Sequence, residues 1–190
     1  MQRIAIFASG SGTNAENIIK YFRNCSSIEV ALVLSNKKDA YVLKRAAKHH
    51  IPVMIFNRRH FYENNTVLKE LKSKNIDLIV LAGFLWLIPP EIIREYRNRI
   101  INIHPALLPE YGGKGMYGER VHQAVLENKE KKSGISIHHV NEQYDKGDVI
   151  FQASCPVSPH DTIESLQEKI HRLEYKYYPE VIEKILKEKA

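Results

Sequence analysis

The sequence predicts a single α/β domain: a Rossmann-like, doubly wound, mostly parallel sheet with a C-terminal β-hairpin extension and a long terminal helix. Three observations carry that expectation. Strand-like and helix-like segments alternate over the first hundred residues, the pattern of βαβ units. The run Asp77 to Gly83 is apolar on both faces, as a central parallel strand must be. A glycine loop, Ser9-Gly10-Ser11-Gly12-Thr13-Asn14, separates the first strand from the first helix.

Taken in order, Met1 to Ala8 is a short apolar strand, and after the loop a helix begins at Ala15. Strand, glycine loop and helix start together make an anion site, because free N–H groups and the positive end of the helix dipole point at one spot. Ile28 to Leu34 is a β-branched strand ending at Ser35-Asn36. A helix over Asp39 to His50 follows, with Asp39 as its cap, then a short strand from Pro52 to Phe56 and a helix over Phe61 to Asn75. Pro89-Pro90 opens a short helix through Tyr96, since proline is tolerated in a first turn. Arg99 to Ile103 is the next strand. Ligands in such sheets sit beyond the strands' carboxyl ends, so the glycine loop, the Gly83-to-Trp86 turn and the segment at Asn102 share one edge. Beyond His104 come a glycine-rich loop from Gly112 to Gly118, a helix over Val121 to Asn128, and two strands, Ser133 to Val140 and Asp148 to Cys155, that pair around a turn at Asp145. A helix from Thr162 to Lys189, capped by Asp161 or Thr162, closes the chain.

The 190 residues suit one domain with a real core. An apolar content of 44% and a charged content of 26% are ordinary for a soluble protein. No apolar run approaches the roughly 18 residues of a membrane helix, which argues against a membrane. The +6 net charge favours an anionic ligand, but its lysines alternate with acids, as in Lys129-Glu130-Lys131-Lys132. That pattern marks a solvated face and argues against nucleic acid. Cys25 and Cys155 have no metal-ligand spacing and read as reduced core thiols of a cytoplasmic protein. No metal is implied.

Gly10 to Ala15 fits the loose pattern G-x-G-x-x-[GA], yet Ser35-Asn36 offers no acid for a dinucleotide ribose, and the lysine of a P-loop is missing. A phosphate monoester held by backbone N–H groups, Thr13 and Asn14 fits better, against a tight turn with no ligand. Asn102 and His104, two apart on an extended chain, point to one face, and Pro105 keeps His104 extended. Asp145 supplies a carboxylate on a turn. An acid beside His104 is expected to raise its pKa and favour the imidazolium. Of the other histidines, His138 has a better claim to the site than His139, while His49, His50, His60, His122, His160 and His171 read as surface or capping residues. No activated nucleophile stands out.

These residues resemble the glycinamide ribonucleotide formyltransferase family along essentially the whole chain. The resemblance rests on Ser9 to Asn14, Leu81-Ala82-Gly83-Phe84, Asn102-Ile103-His104-Pro105 with Leu107-Leu108-Pro109, and Gly134 through Asp145-Lys146-Gly147. It implies transfer of the formyl group of 10-formyltetrahydrofolate, a co-substrate, to the amine of 5'-phosphoribosylglycinamide in purine biosynthesis. Asn102, His104 and Asp145 are then catalytic: His104 holds or protonates the oxyanion, Asn102 positions it, and Asp145 raises the His104 pKa. Gly12, Thr13 and Asn14 correspond to the phosphate loop, and His171, Arg172, Leu173 and Glu174 to the rest of the substrate contact. Leu85, Trp86, Leu87 and Ile88, with Asn102 and the loop Asn141, Glu142, Gln143, Tyr144 and Asp145, correspond to the folate site. Residues 1–100 form the phosphate and ribonucleotide half, and 101–190 the catalytic and folate half. The chain departs from the family at Trp86, where relatives often carry arginine, and around Phe61; Arg58 and Arg59 lie near but out of register. The partners implied are small molecules, with a monomer or homodimer as the state. A 10-formyltetrahydrofolate hydrolase or another formyl-folate transferase, one acting on an aminoacyl-tRNA or a sugar amine, is the first alternative, although the hydrolase and tRNA relatives carry a further domain; a non-catalytic nucleotide-binding module is the second.

Overall fold

A computed structural model describes residues 1–188. Its elements are β1 (Gln2–Phe7), α1 (Thr13–Phe22), β2 (Ile28–Ser35), α2 (Tyr41–Lys48), β3 (Val53–Ile55), α3 (Arg58–Tyr62), α4 (Thr66–Ser73), β4 (Leu78–Leu81), α5 (Pro90–Glu95), β5 (Ile100–His104), α6 (Glu119–Glu127), β6 (Lys132–His139), β7 (Val149–Pro156) and α7 (Ile163–Lys187). The strands form one seven-stranded sheet in the order β3-β2-β1-β4-β5-β6-β7. The first five run parallel, and β6 and β7 join antiparallel to β5 and to each other.

Strand side chains alternate between faces, and β1 shows what that does here. Ile4 and Ile6 pack with Ile18, Val42, Leu166 and Tyr178 into one core. Ala5 and Phe7 pack with Phe61, Leu71, Ile79 and Ile92 into the other. Helices therefore cover both sides of the sheet, as the unbroken apolar strands required. Among the described residues no helix is long and apolar enough to cross a membrane.

Several local expectations change. The helix expected over Phe61 to Asn75 is two, α3 and α4, because Asn65 adopts a left-handed conformation with φ of 55°. Asn64 stabilises the break by accepting from the Thr66 N–H at 3.2 Å and from its hydroxyl at 2.6 Å. Asp39 does not cap α2; the N-cap is Ala40, with no side-chain hydrogen bond. Instead the Val42 N–H donates to the Gly10 carbonyl at 3.2 Å, tying α2 to the glycine loop. Cys25 and Cys155 are free and half-buried rather than core residues. Thr162 caps α7 in a reciprocal box with Ser165, and Asp161 supports it by accepting from Ser165 and Lys169. Lys189, the expected end of α7, lies outside the described residues.

α7 carries Pro179 in its interior. A proline has no N–H, so the carbonyl four residues earlier, that of Tyr175, loses its helical donor. Asn17 on α1 supplies one, with Nδ2 2.8 Å from that oxygen. The Asn17→Ala variant is expected to lose about 1 kcal/mol of stability in urea unfolding; an unchanged midpoint would show that water replaces the amide at no cost.

Candidate active site

β1 lies between β2 and β4, so chain connections leave it in opposite directions and open a crevice at its carboxyl end. The glycine loop closes that crevice. Gly12 has φ of 74°, and a Cβ there would overlap the side chain of Val42; only glycine fits. Ser9 Oγ donates to Asn36 Oδ1 at 2.7 Å and accepts from the Leu85 N–H at 3.2 Å. Asn36, at the strand end where a dinucleotide site would need an acid, thus braces the loop. Arg45 donates from Nε to the Ser11 carbonyl at 2.9 Å and pairs with Glu16. Gly12, Thr13 and Asn14 line a cavity of about 520 Å³.

The reactive cluster forms across β5 and β6. Their register pairs Asn102 with His138 and His104 with Ser136. Ser136 Oγ donates to the Ala106 carbonyl at 2.7 Å and accepts from the Leu108 N–H at 2.8 Å, which fixes the proline-rich exit from His104. His104 Nε2 lies 2.8 Å from the Tyr111 carbonyl, so it carries the proton and donates. The bare Nδ1 faces Asp145 Oδ2 at 3.6 Å. Asp145 Oδ2 accepts the Gly113 N–H at 2.9 Å, and its Oδ1 lies 3.5 Å from His138 Nε2. Asn102 Nδ2 lies 3.1 Å from His138 Nε2 and 3.5 Å from Asp145 Oδ1. The second contact is at the long limit of a hydrogen bond, leaving that N–H free to turn to a substrate oxygen.

Burial acts to raise the Asp145 pKa, but His138, His104 and the Gly113 N–H together overcome it and hold the carboxyl below its ordinary value. His104 goes the other way from expectation. Burial lowers its pKa, and the Asp145 charge only partly opposes this, so the net shift is downward. The resting imidazole is therefore neutral at neutral pH.

α7 forms the opposite wall. Glu174 is buried, accepts from Asn14 Nδ2 at 2.8 Å and has His171 Nε2 at 4.0 Å. Burial pushes its pKa up to about 7, against the Asn14 hydrogen bond. Asn14 thus spends its amide on the acid rather than standing free for an anion.

The Formyl transferase family model matches residues 2–182. A phosphoribosylglycinamide formyltransferase of Haemophilus influenzae is 38% identical over 190 residues, covering 96% of this chain and 86% of that one. The chain belongs to this formyltransferase family. A chloroplastic phosphoribosylglycinamide formyltransferase of Arabidopsis thaliana is also 38% identical, over 99% of this chain, which spans 66% of its length. The crystal structure of phosphoribosylglycinamide formyltransferase from Bacillus halodurans superposes with a TM-score of 0.86 at 38% identity, covering 97% of this chain and 95% of that one.

In this family member Leu85, Trp86, Leu87, Ile88, Asn141, Gln143 and Tyr144 line the same cavity as Asn102, His104 and Asp145. Arg58 stacks over the Trp86 ring at 4.9 Å, so a guanidinium stands beside this part of the cavity wall. The contiguous segments fare less well. Glu142 is exposed and away from the cavity, Arg172 is exposed, and Leu173 packs against the core. Only His171 and Glu174 of that stretch face inward, joined by Gln167 and Ile170. Those four follow helical i, i+3, i+4, i+7 spacing, a signal present in the sequence. His122 is no surface residue either, being 2% exposed and lining the cavity. His49 is half-buried against Glu16. Among the described residues no group of three or more His, Cys, Asp or Glu could hold a metal ion.

Glu174 gives a stability test. Its folded pKa of about 7 exceeds the ordinary carboxyl value of 4.5, so its contribution is full below pH 4.5 and is lost as pH rises through 7. Between pH 4.5 and 8 the Glu174→Gln variant should gain on the parent by roughly 3 kcal/mol. A difference that does not change with pH would rule out the shift.

Proposed function

We propose that the chain transfers the formyl group of 10-formyltetrahydrofolate to the amine of 5'-phosphoribosylglycinamide, yielding the formylated ribonucleotide and tetrahydrofolate, a step of purine biosynthesis. The carrying observation is that the Asn102–His104–His138–Asp145 cluster and the glycine loop open into one cavity. An anion anchored at Gly12 and Thr13 and an amine at His104 describe one molecule. The wall from Leu85 to Ile88, with the loop from Asn141 to Asp145, would take the pterin. Leu85 to Ile88 precede residue 100 while His171 and Glu174 follow it, so each substrate would be held by both halves of the chain. The site of action proposed is the cytoplasm.

The chemistry follows from the protonation states. The neutral amine attacks the formyl carbon, an N–C bond forms, and the carbonyl electrons move to oxygen. The Asn102 N–H turns to that oxyanion and stabilises it. As the amine becomes cationic, His104 Nδ1 takes its proton, and Asp145 at 3.6 Å steadies the imidazolium that results. Collapse of the intermediate breaks the bond to the folate nitrogen, which receives the proton from His104. No side chain needs to become covalently attached.

Formyl transfer followed with and without 5'-phosphoribosylglycinamide tests the reading. Formate release without the amine, at the rate of transfer, would instead identify a hydrolase. His104→Ala and Asp145→Asn are each expected to lose about 10²-fold or more in turnover. Because His104 acts as a neutral base with a lowered pKa, kcat/KM should climb with pH along a limb centred below the ordinary histidine value of 6.5. A rising limb centred above 6.5 would contradict that role.

A further inference from the structure

We propose that His122 is a substrate-positioning residue, donating a hydrogen bond from Nε2 to an acceptor oxygen of the amine substrate that lies between its reacting nitrogen and its phosphate. The inference rests on the formyl-transfer reading above and extends it to a residue outside the Asn102, His104 and Asp145 set.

His122 sits in the first turns of α6, beside Val121 and on the same buried face as Val125. An apolar residue would serve that face as packing. The histidine is 2% exposed, yet its Nδ1 is sealed from solvent with no hydrogen-bond partner. No hydrogen bond among the described residues involves its Nε2 either. A buried polar ring left without partners is disfavoured unless something outside the chain satisfies it. The ring lines the cavity, and with Nδ1 sealed, Nε2 is the edge that can meet a ligand. Orphaned N–H groups are rarer than orphaned acceptors, so the proton belongs on Nε2 and the sealed Nδ1 keeps the bare lone pair.

Its position selects the substrate atom. His122 lies within electrostatic reach of His104 on β5 and of His171 on α7, and it shares the cavity lining with both and with Glu174. Burial pushes its pKa down to about 4. It can therefore contact substrate as a neutral donor, without adding a positive charge that would oppose protonation of His104.

Two variants test this, with titration calorimetry of 5'-phosphoribosylglycinamide beside steady-state kinetics. His122→Phe keeps a ring of similar size but removes the donor; His122→Gln restores an N–H at the same reach. For Phe, the Kd and KM for the ribonucleotide should rise about tenfold, with the folate KM within about twofold and the melting temperature equal or higher. Gln should recover most of the loss. An unchanged ribonucleotide Kd in His122→Phe would overturn the proposal, as would a loss shared equally by both substrates with a fall in melting temperature. A parent protein that transfers no formyl group to the ribonucleotide would overturn the functional reading itself, a separate result.

Discussion

The half-buried Asp145 carboxylate is the constraint on which the site is built. Its two oxygens meet four groups from three parts of the chain: the Gly113 N–H in the glycine-rich loop, Asn102 and His104 on β5, and His138 on β6. To reach them Asp145 takes a left-handed backbone conformation, with φ of 53°, one of the few that aspartate tolerates. Gly147 then lets the chain turn so closely against the His139 carbonyl that a Cβ would collide with it. A buried carboxylate without partners would be costly. With them it stays ionised and positions two imidazoles whose own burial keeps His104 neutral. The site thereby holds one fixed negative charge and a base that becomes cationic only when a proton arrives.

The opposite wall follows another electrostatic rule. Glu174 is buried more deeply than Asp145 and has one close donor, Asn14, so its pKa rises while that of Asp145 falls. Two carboxyls in one cavity are thus separated in charge state by their depth of burial and by how many donors each receives. The glycine loop is tied to this wall, because Asn14, in the first turn of α1, donates to Glu174. Arg45 and Asn36 fix that loop from behind through Ser11 and Ser9.

Much of this was legible in the sequence wherever the signal was local. The alternation of strands and helices, the glycine loop, and the shared face of Asn102 and His104 depend on spacings within ten residues, and they hold. The hairpin around Asp145 was also readable, because β6 and β7 are close in sequence. What was not legible depends on summed surroundings. The direction of the His104 shift required knowing that burial outweighs one neighbouring charge. The depth of His122 required knowing that α7 covers α6. The resemblance brings Arg172 and Leu173 in with His171 and Glu174, but a helix turns successive residues to different faces, and it is Gln167 and Ile170 that share the cavity face with His171 and Glu174. The split between α3 and α4 turned on whether Asn65 would leave the helical region, which propensity alone does not decide.

The link between α1 and α7 also governs when the site can exist. Asn14 to Glu174, Asn17 to Tyr175 and Gln2 to Leu186 join positions 160, 158 and 184 residues apart. During synthesis the chain emerges from its amino end, so the glycine loop is made long before the helix that completes it. The parallel core from β1 to β5 can assemble first, but the acidic wall of the cavity and the donor that heals the Pro179 gap must wait for one another. A nascent chain short of α7 therefore has a finished crevice floor and no acidic wall, which sets the order in which the cavity is completed.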